Sequence, residues 1–289
     1  MSTLMTSHDQ LDRRDLVRRV PGPAERAPQR YARRRRAVTV TLAWATPVLL
    51  IVVWELAARF GTLDTRFFPA PSVIWQAGVQ SIQDGAMTGA VVDTVRKLLI
   101  GYGIGAVAGV ALGVLLGLSW IARAALEHTL VALYTLPKLA LFPVFLLIFG
   151  LGSMPQIVLV AVSVFFIVVL ASTTAVISVE QGYRDAAAVL GAKRTQLLRH
   201  VIIPAALPAI ATAIRLTAGI AILVIVGIEM VSGDSGLGYL IFQRSQVFDP
   251  GTMYAGVIIA GLIGVAFTGL VSFAMKFAIP QQRPRLRRS

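Results

Sequence analysis

The chain has 289 residues, of which 56% are hydrophobic and 14% charged, with a net charge of +13 and a mean hydropathy of +0.75. A soluble domain cannot cover itself with so few polar groups, so lipid is the expected solvent and one membrane domain fits this length. The basic excess sits in two tails and one central loop rather than on a folded face, which argues for membrane orientation and against nucleic acid, and zero cysteine excludes disulfides and thiolate metal sites.

A bilayer core roughly 30 Å thick takes about 20 residues of helix, so each long apolar run is a candidate span. Residues 1–37 are polar, rich in Arg and Pro and without hydrophobic periodicity, which predicts a disordered basic cytoplasmic tail. Residues 38–58 form the first span. Arg33 to Arg36 before it and Ala57 and Ala58 after it imitate a signal peptide, but the long basic lead and the five later spans favour an uncleaved helix. In the first outer loop Pro69, Pro71 and Ser72 precede Val73, Ile74, Ala77, Val79 and Ile82, a pattern that predicts a capped amphipathic helix in the membrane interface.

The second span, 94–118, carries Gly101, Gly105, Gly109, Gly113 and Gly117, one glycine every four residues. Apolar helices in lipid associate through close backbone approach, which glycine permits. The ladder predicts a packing face, either inside one subunit or as the seam of a homodimer. The third span, 127–150, contains Pro137 and Pro143 and should be kinked or broken, because proline removes backbone donors. The fourth covers 156–178, the fifth 208–231 and the sixth 253–277, and a basic tail, 279–289, ends the chain. With the amino terminus inside, the inner segments receive both tails, Arg123, Arg184, Lys193, Arg194 and Arg199. The outer loops receive Asp64, Asp84, Asp93, Asp234 and Asp249 beside a few cations that include Arg96 and Lys97. This asymmetry predicts both termini in the cytoplasm and an even number of spans.

Between the fourth and fifth spans runs EQGYRDAAAVLGAKRTQLLRHVIIPAALP, residues 180–208. Tyr183, Ala186, Ala187 and Leu190 share one helical face, and Gly191 stands where a left-handed turn would end that helix. A second helix should follow, capped by Thr195, with Leu197, Leu198, Val201 and Ile202 on its apolar side and Pro204 as its stop. Such a helix, elbow, helix unit on the membrane face is suited to docking. The small Ala186 and Ala187 would let its tip enter a groove, with Arg184 and Asp185 fixing register.

Asp185-Ala186-Ala187, Gly191, Val201, Ile203 and Pro204 resemble, in type and spacing, the EAA loop of ABC importer permeases. FFPAPSVIWQA at 67–77, LPKLALFPVFLLIFGLG at 136–152 and IEMVSGDSGLGYLI at 228–241 extend the resemblance to permeases of the nitrate, sulfonate and taurine importer group, over nearly all of 40–278. Two features depart from the pattern: Asp185 stands where the loop usually has Glu, and the basic amino-terminal tail is long. The resemblance implies an all-α polytopic bundle of about six transmembrane helices with the type I importer architecture, lying in the inner (plasma) membrane. Its permease domain would span 38–278, with 180–204 as coupling loop. It further implies a permease homodimer, two ATP-binding subunits on the coupling loops, an external solute-binding protein, and an oxyanion such as an aliphatic sulfonate, taurine or nitrate as solute. ATP and Mg would sit on the partner, since this chain has no GxxxxGK[ST] loop to cradle phosphates.

Few charges lie inside the spans. Lys138, flanked by Pro137 and Pro143, is costly in lipid and must face protein or water, either neutralising a passing anion or bonding carbonyls freed by the prolines. Arg215 and Glu229 lie on nearly one face of the fifth span, about 21 Å apart, too far to pair. Arg215 suits snorkelling to the inner interface. Glu229 suits a gate or a contact with the loop containing Gly236, Leu237 and Gly238. His8, His128 and His200 form no metal cluster, and no nucleophile has a base at fixed spacing, so catalysis is not expected. A secondary transporter would show inverted repeats, and none stands out. A membrane enzyme would gather polar groups at one depth, which Lys138, Arg215 and Glu229 do not.

Overall fold

The structure, a computed structural model, describes residues 28–232 and 234–278, and every regular element among them is helical. Most of the expected tails, 1–27 and 279–289, lies outside the described residues. The described residues divide into two compact units, one ending at Leu63 and the other beginning at Asp64. The first contains α1 (Pro28–Arg59), whose Arg35–Arg59 part is long and apolar enough to cross a membrane. It begins ten residues before the expected span, inside the stretch read as tail. Alanine and arginine are good helix formers, and the Thr39 hydroxyl donates to the Arg35 carbonyl at 2.8 Å, so the helix extends past its apolar run.

The second unit begins with α2 (Pro71–Gln83). No side chain caps it. Pro71 occupies its first turn, where a missing N–H costs nothing. Gly78 and Gly251 let α2 settle on the last long helix, since a Cβ on either would come within 3.2 Å of Ala255 or 3.1 Å of Ala77. The next elements are α3 (Ala86–Leu118), α4 (Trp120–Thr135), a 3₁₀ turn at Lys138–Leu141, α5 (Phe142–Phe149) and α6 (Ser153–Ile177). Then come α7 (Gln181–Val189), α8 (Arg194–Leu197), a π turn at Leu198–Ile202, α9 (Ile203–Ser232), α10 (Leu237–Gln246) and α11 (Pro250–Ala278).

The glycine ladder of α3 packs within the chain, against α6. A Cβ at Gly101 would lie 2.8 Å from the Ile157 carbonyl, at Gly109 2.8 Å from Val168 Cβ, at Gly113 2.6 Å from Ser172 Cβ and at Gly117 2.5 Å from Val176 Cβ. At Gly105 it would strike the Ala161 carbonyl. Thr173 adds a hydrogen bond to the Gly113 carbonyl at 3.2 Å. The partners advance in step with the glycines, so α3 and α6 run parallel, and the chain between them must recross the membrane. The pair α4 and α5, bent by 90° at Leu136 and Pro137, fits that crossing, which gives up to six candidate spans among the described residues where five unbroken helices qualify alone. The remaining core joins α3, α6, α9 and α11 through Leu98, Val160, Val164, Ala218, Ile225 and Phe267. Tyr102 stacks edge-on against Phe267 at 5.0 Å, and its hydroxyl donates to the Ile214 carbonyl.

Two expected breaks differ. Pro204 does not stop a helix: α8, the π turn and α9 run on from Arg194 to Ser232, because the widened π turn absorbs the prolines' missing donors. Nor does Thr195 cap α8. Lys193 is the N-cap residue, and its N–H donates to the Gln196 side chain at 2.8 Å.

Candidate functional site

The loop after α6 leaves the membrane as α7, which ends at Gly191 in a left-handed turn (φ +76°). The Gly191 N–H donates to the Ala188 carbonyl at 3.0 Å and the Ala192 N–H to the Ala187 carbonyl at 3.0 Å, which satisfies the orphaned helix-end carbonyls. Ala187 is buried and Arg184 reaches back to the Val176 carbonyl at 2.8 Å, tying α7 to the end of α6. Asp185 accepts from Gln181 at 2.9 Å and, like Ala186, is exposed. Val189 and Leu190, at the tip, are 88% and 86% exposed, and Tyr183 is exposed beside them. Val201, Ile203 and Pro204 lie in the π turn and the start of α9.

Next to this loop, a cleft of about 830 Å³ opens between α4, α6, α7 and α9. Its lining is mostly apolar, with Tyr134, Thr174, Ser178, Glu180, Tyr183 and Thr212 as the polar residues. Lys138 sits at the break between α4 and α5, donating to the Tyr134 carbonyl, with its ammonium 4.3 Å from the centre of the Tyr134 ring. Its charge is thus held by the end of α4. Pro137 precedes the 3₁₀ turn and Pro143 lies in the first turn of α5, where the proline is tolerated. Arg215 is half-buried and makes no hydrogen bond or ion pair among the described residues.

At the opposite end of α9, Glu229 is fully buried. It accepts from the Thr94 hydroxyl at 2.9 and 2.8 Å, from the Gly238 N–H at 3.0 Å and from Lys97 at 3.4 Å. Lys97, also fully buried, pairs with Asp93 at 2.6 Å and donates to the Ser235 hydroxyl at 2.9 Å and carbonyl at 3.2 Å. The Leu237 N–H in turn donates to Thr94 at 2.8 Å. Asp93, Arg96 and Lys97, expected in an outer loop, therefore belong to α3, which starts at Ala86. The missed residues are Asp93, Thr94 and Lys97. Their one local signal is the i, i+4 spacing of Asp93 and Lys97 directly ahead of an apolar run.

Among the described residues no three His, Cys, Asp or Glu side chains gather as a metal site. A helical chain with up to six candidate spans among the described residues, and a short exposed helix between two of them, defines a multi-pass membrane protein. The chain belongs to the family described as binding-protein-dependent transport system inner membrane component, whose model matches residues 105–285.

It is 32% identical over 218 residues to a Bacillus subtilis permease protein named for aliphatic sulfonates transport, SsuC, covering 75% of this chain and 79% of that one. The taurine transport system permease protein TauC of Escherichia coli is 28% identical over 229 residues, 78% of this chain and 83% of its own. The nitrate import permease protein NrtB of Leptolyngbya laminosa is 25% identical over 271 residues, 91% and 97%. The fold matches a solved inward-facing MetNI methionine ABC transporter chain at TM-score 0.56 and 21% identity, covering 68% of this chain and 96% of that one. The chain is therefore the membrane-spanning, non-catalytic permease subunit of an ABC importer, and the family places the ATPase on a separate subunit. Family membership also answers the secondary-transporter alternative.

Proposed function

We propose that this permease imports a small oxyanion, an aliphatic sulfonate, taurine or nitrate, by alternating access driven through the 180–204 loop. The relatives named for those solutes support the choice. Two copies would pair in the inner (plasma) membrane with both termini cytoplasmic, two ATPase subunits carrying ATP and Mg would grip α7, and an external solute-binding protein would deliver the solute. The cleft lined by Tyr134 and Thr212 would be the inner half of the path. Pro137, Lys138, Pro143 and Arg215 would lie along or near it.

The observation that carries this reading is the apolar tip of α7. Val189 and Leu190 stand almost fully exposed at the end of a helix that has left the membrane, and two such side chains are expected under a partner. Ala186 and Asp185 flank them, and Gly191 sets the angle at which they are presented. The test is purification of the chain from its native membrane in mild detergent. The reading expects an ATP-binding subunit to remain bound, to leave when Leu190 is replaced by Ser, and to support ATP-dependent uptake in liposomes. A protein that purifies alone and transports without ATP would contradict it.

A further inference from the structure

The polar cluster at the outer end of α9 is not part of the path described above. Glu229 and Lys97 are both 0% exposed. The carboxylate accepts from Thr94 on both oxygens, from the Gly238 N–H and from Lys97. The ammonium, with three protons to give, faces Asp93, Glu229 and Ser235. Buried and held by these partners, neither charge is free to hold a passing anion.

The turn that closes over it fits without spare room. Gly236 (φ +102°) lies against the Glu229 carboxylate, and a Cβ there would occupy the carboxylate's own position. A Cβ at Gly238 would strike the Val226 carbonyl and come 2.7 Å from Glu229 Cβ. Opening this turn would take the Gly238 N–H from the buried carboxylate and Ser235 from the buried ammonium, and a hydrogen bond lost by a buried charged group is costly. The break between α4 and α5 is different. It is bent by 90°, and of the two helices beside it only Leu130 and Phe142 are buried.

Building on the permease assignment, we propose that Lys97 and Glu229 are positioning residues that keep residues 234–238 and the outer end of α9 fastened to α3 in every state of the transport cycle. The glycine seam fastens α6 to the same helix, so α3, α6 and α9 move as one body. The change of access is then taken up at the Leu136–Pro137 break.

The absence of native cysteine makes the test direct, because Leu237→Cys becomes the only thiol in the chain and leaves the polar cluster intact. Leu237 is fully buried, whereas Val247, just beyond α10, is exposed and serves as a positive control as Val247→Cys. The whole transporter, with its ATPase and binding protein, is reconstituted and treated with a water-soluble maleimide without nucleotide, during ATP turnover and after vanadate trapping. The expected result is labelling of Val247→Cys in all three states and of Leu237→Cys in none. Labelling of Leu237→Cys during turnover would overturn the proposal. As a second measurement, oxidising Thr94→Cys/Leu237→Cys should leave at least half of the reduced protein's uptake rate, while uptake lost on oxidation and restored by reductant would also overturn it. Should the double variant fail to assemble, the labelling decides alone. If the reduced proteins and wild type take up no solute with ATP, the permease assignment fails instead.

Discussion

At the carboxy-terminal end of α9, Glu229 is enclosed by Thr94, Lys97 and the backbone of the turn that follows, each of them buried. Before its amino-terminal end, beyond the π turn, α7 hangs from α6 by Arg184 and Ala187 while Val189 and Leu190 project into open space. One end spends its polar residues on holding the helices in register. The other leaves its apolar residues uncovered and its turn dependent on one glycine. A permease driven from one side needs both: a body stiff enough to transmit a push, and a surface on which another subunit can push.

Removing one charge of the buried pair should therefore destroy the fold, whereas changes at the tip of α7 should spare the fold and destroy coupling. Lys97→Met removes the buried cation beside the Glu229 carboxylate and should cost about 3–5 kcal/mol. It would be read as loss of monodisperse protein in detergent, with much of the loss recovered in Lys97→Met/Glu229→Gln. Gly105→Ala pushes a methyl against the Ala161 carbonyl and should cost about 1–3 kcal/mol in a thermal unfolding assay. At Gly191 a Cβ meets nothing within 4 Å, so Gly191→Val strains only the left-handed backbone, by about 1–2 kcal/mol. Gly191→Val should keep the folded bundle but abolish ATP-driven uptake, with Gly191→Asn milder. Leu190→Ser should leave stability unchanged and weaken ATPase binding by about tenfold, close to 1.4 kcal/mol, in a titration of the purified subunits. The smallest effect belongs to Gly103→Ala, whose new methyl meets open space and should shift stability by less than about 0.5 kcal/mol.

The sequence made the helices visible because their apolar runs are long, and the α3 seam visible because glycines four apart have a single structural use in lipid. The same residues left open whether the seam lay within one subunit, and only the Ile157 to Val176 face of α6 settles it. Gly191 could be found because a helix end leaves a local mark. Lys97 could not, since its partner Glu229 is 132 residues away and spacing carries no trace of such a contact. Read locally, Asp93, Arg96 and Lys97 look like the polar edge of a loop. In the structure all three belong to α3, where Lys97 is buried and pairs with Asp93 and with Glu229 of α9 while Arg96 stays exposed. Pro204 misled for a related reason: proline marks a helix stop only where the backbone cannot widen, and the π turn at Leu198–Ile202 provides that width.

The most direct measurement of the account is uptake of labelled taurine, an alkanesulfonate and nitrate by the reconstituted transporter, comparing wild type with Val189→Ser/Leu190→Ser. The account predicts ATP-dependent uptake of at least one of these anions by wild type, and a variant that is equally well folded but takes up none. Undiminished uptake by the variant, or wild-type uptake that proceeds without ATP, would contradict it.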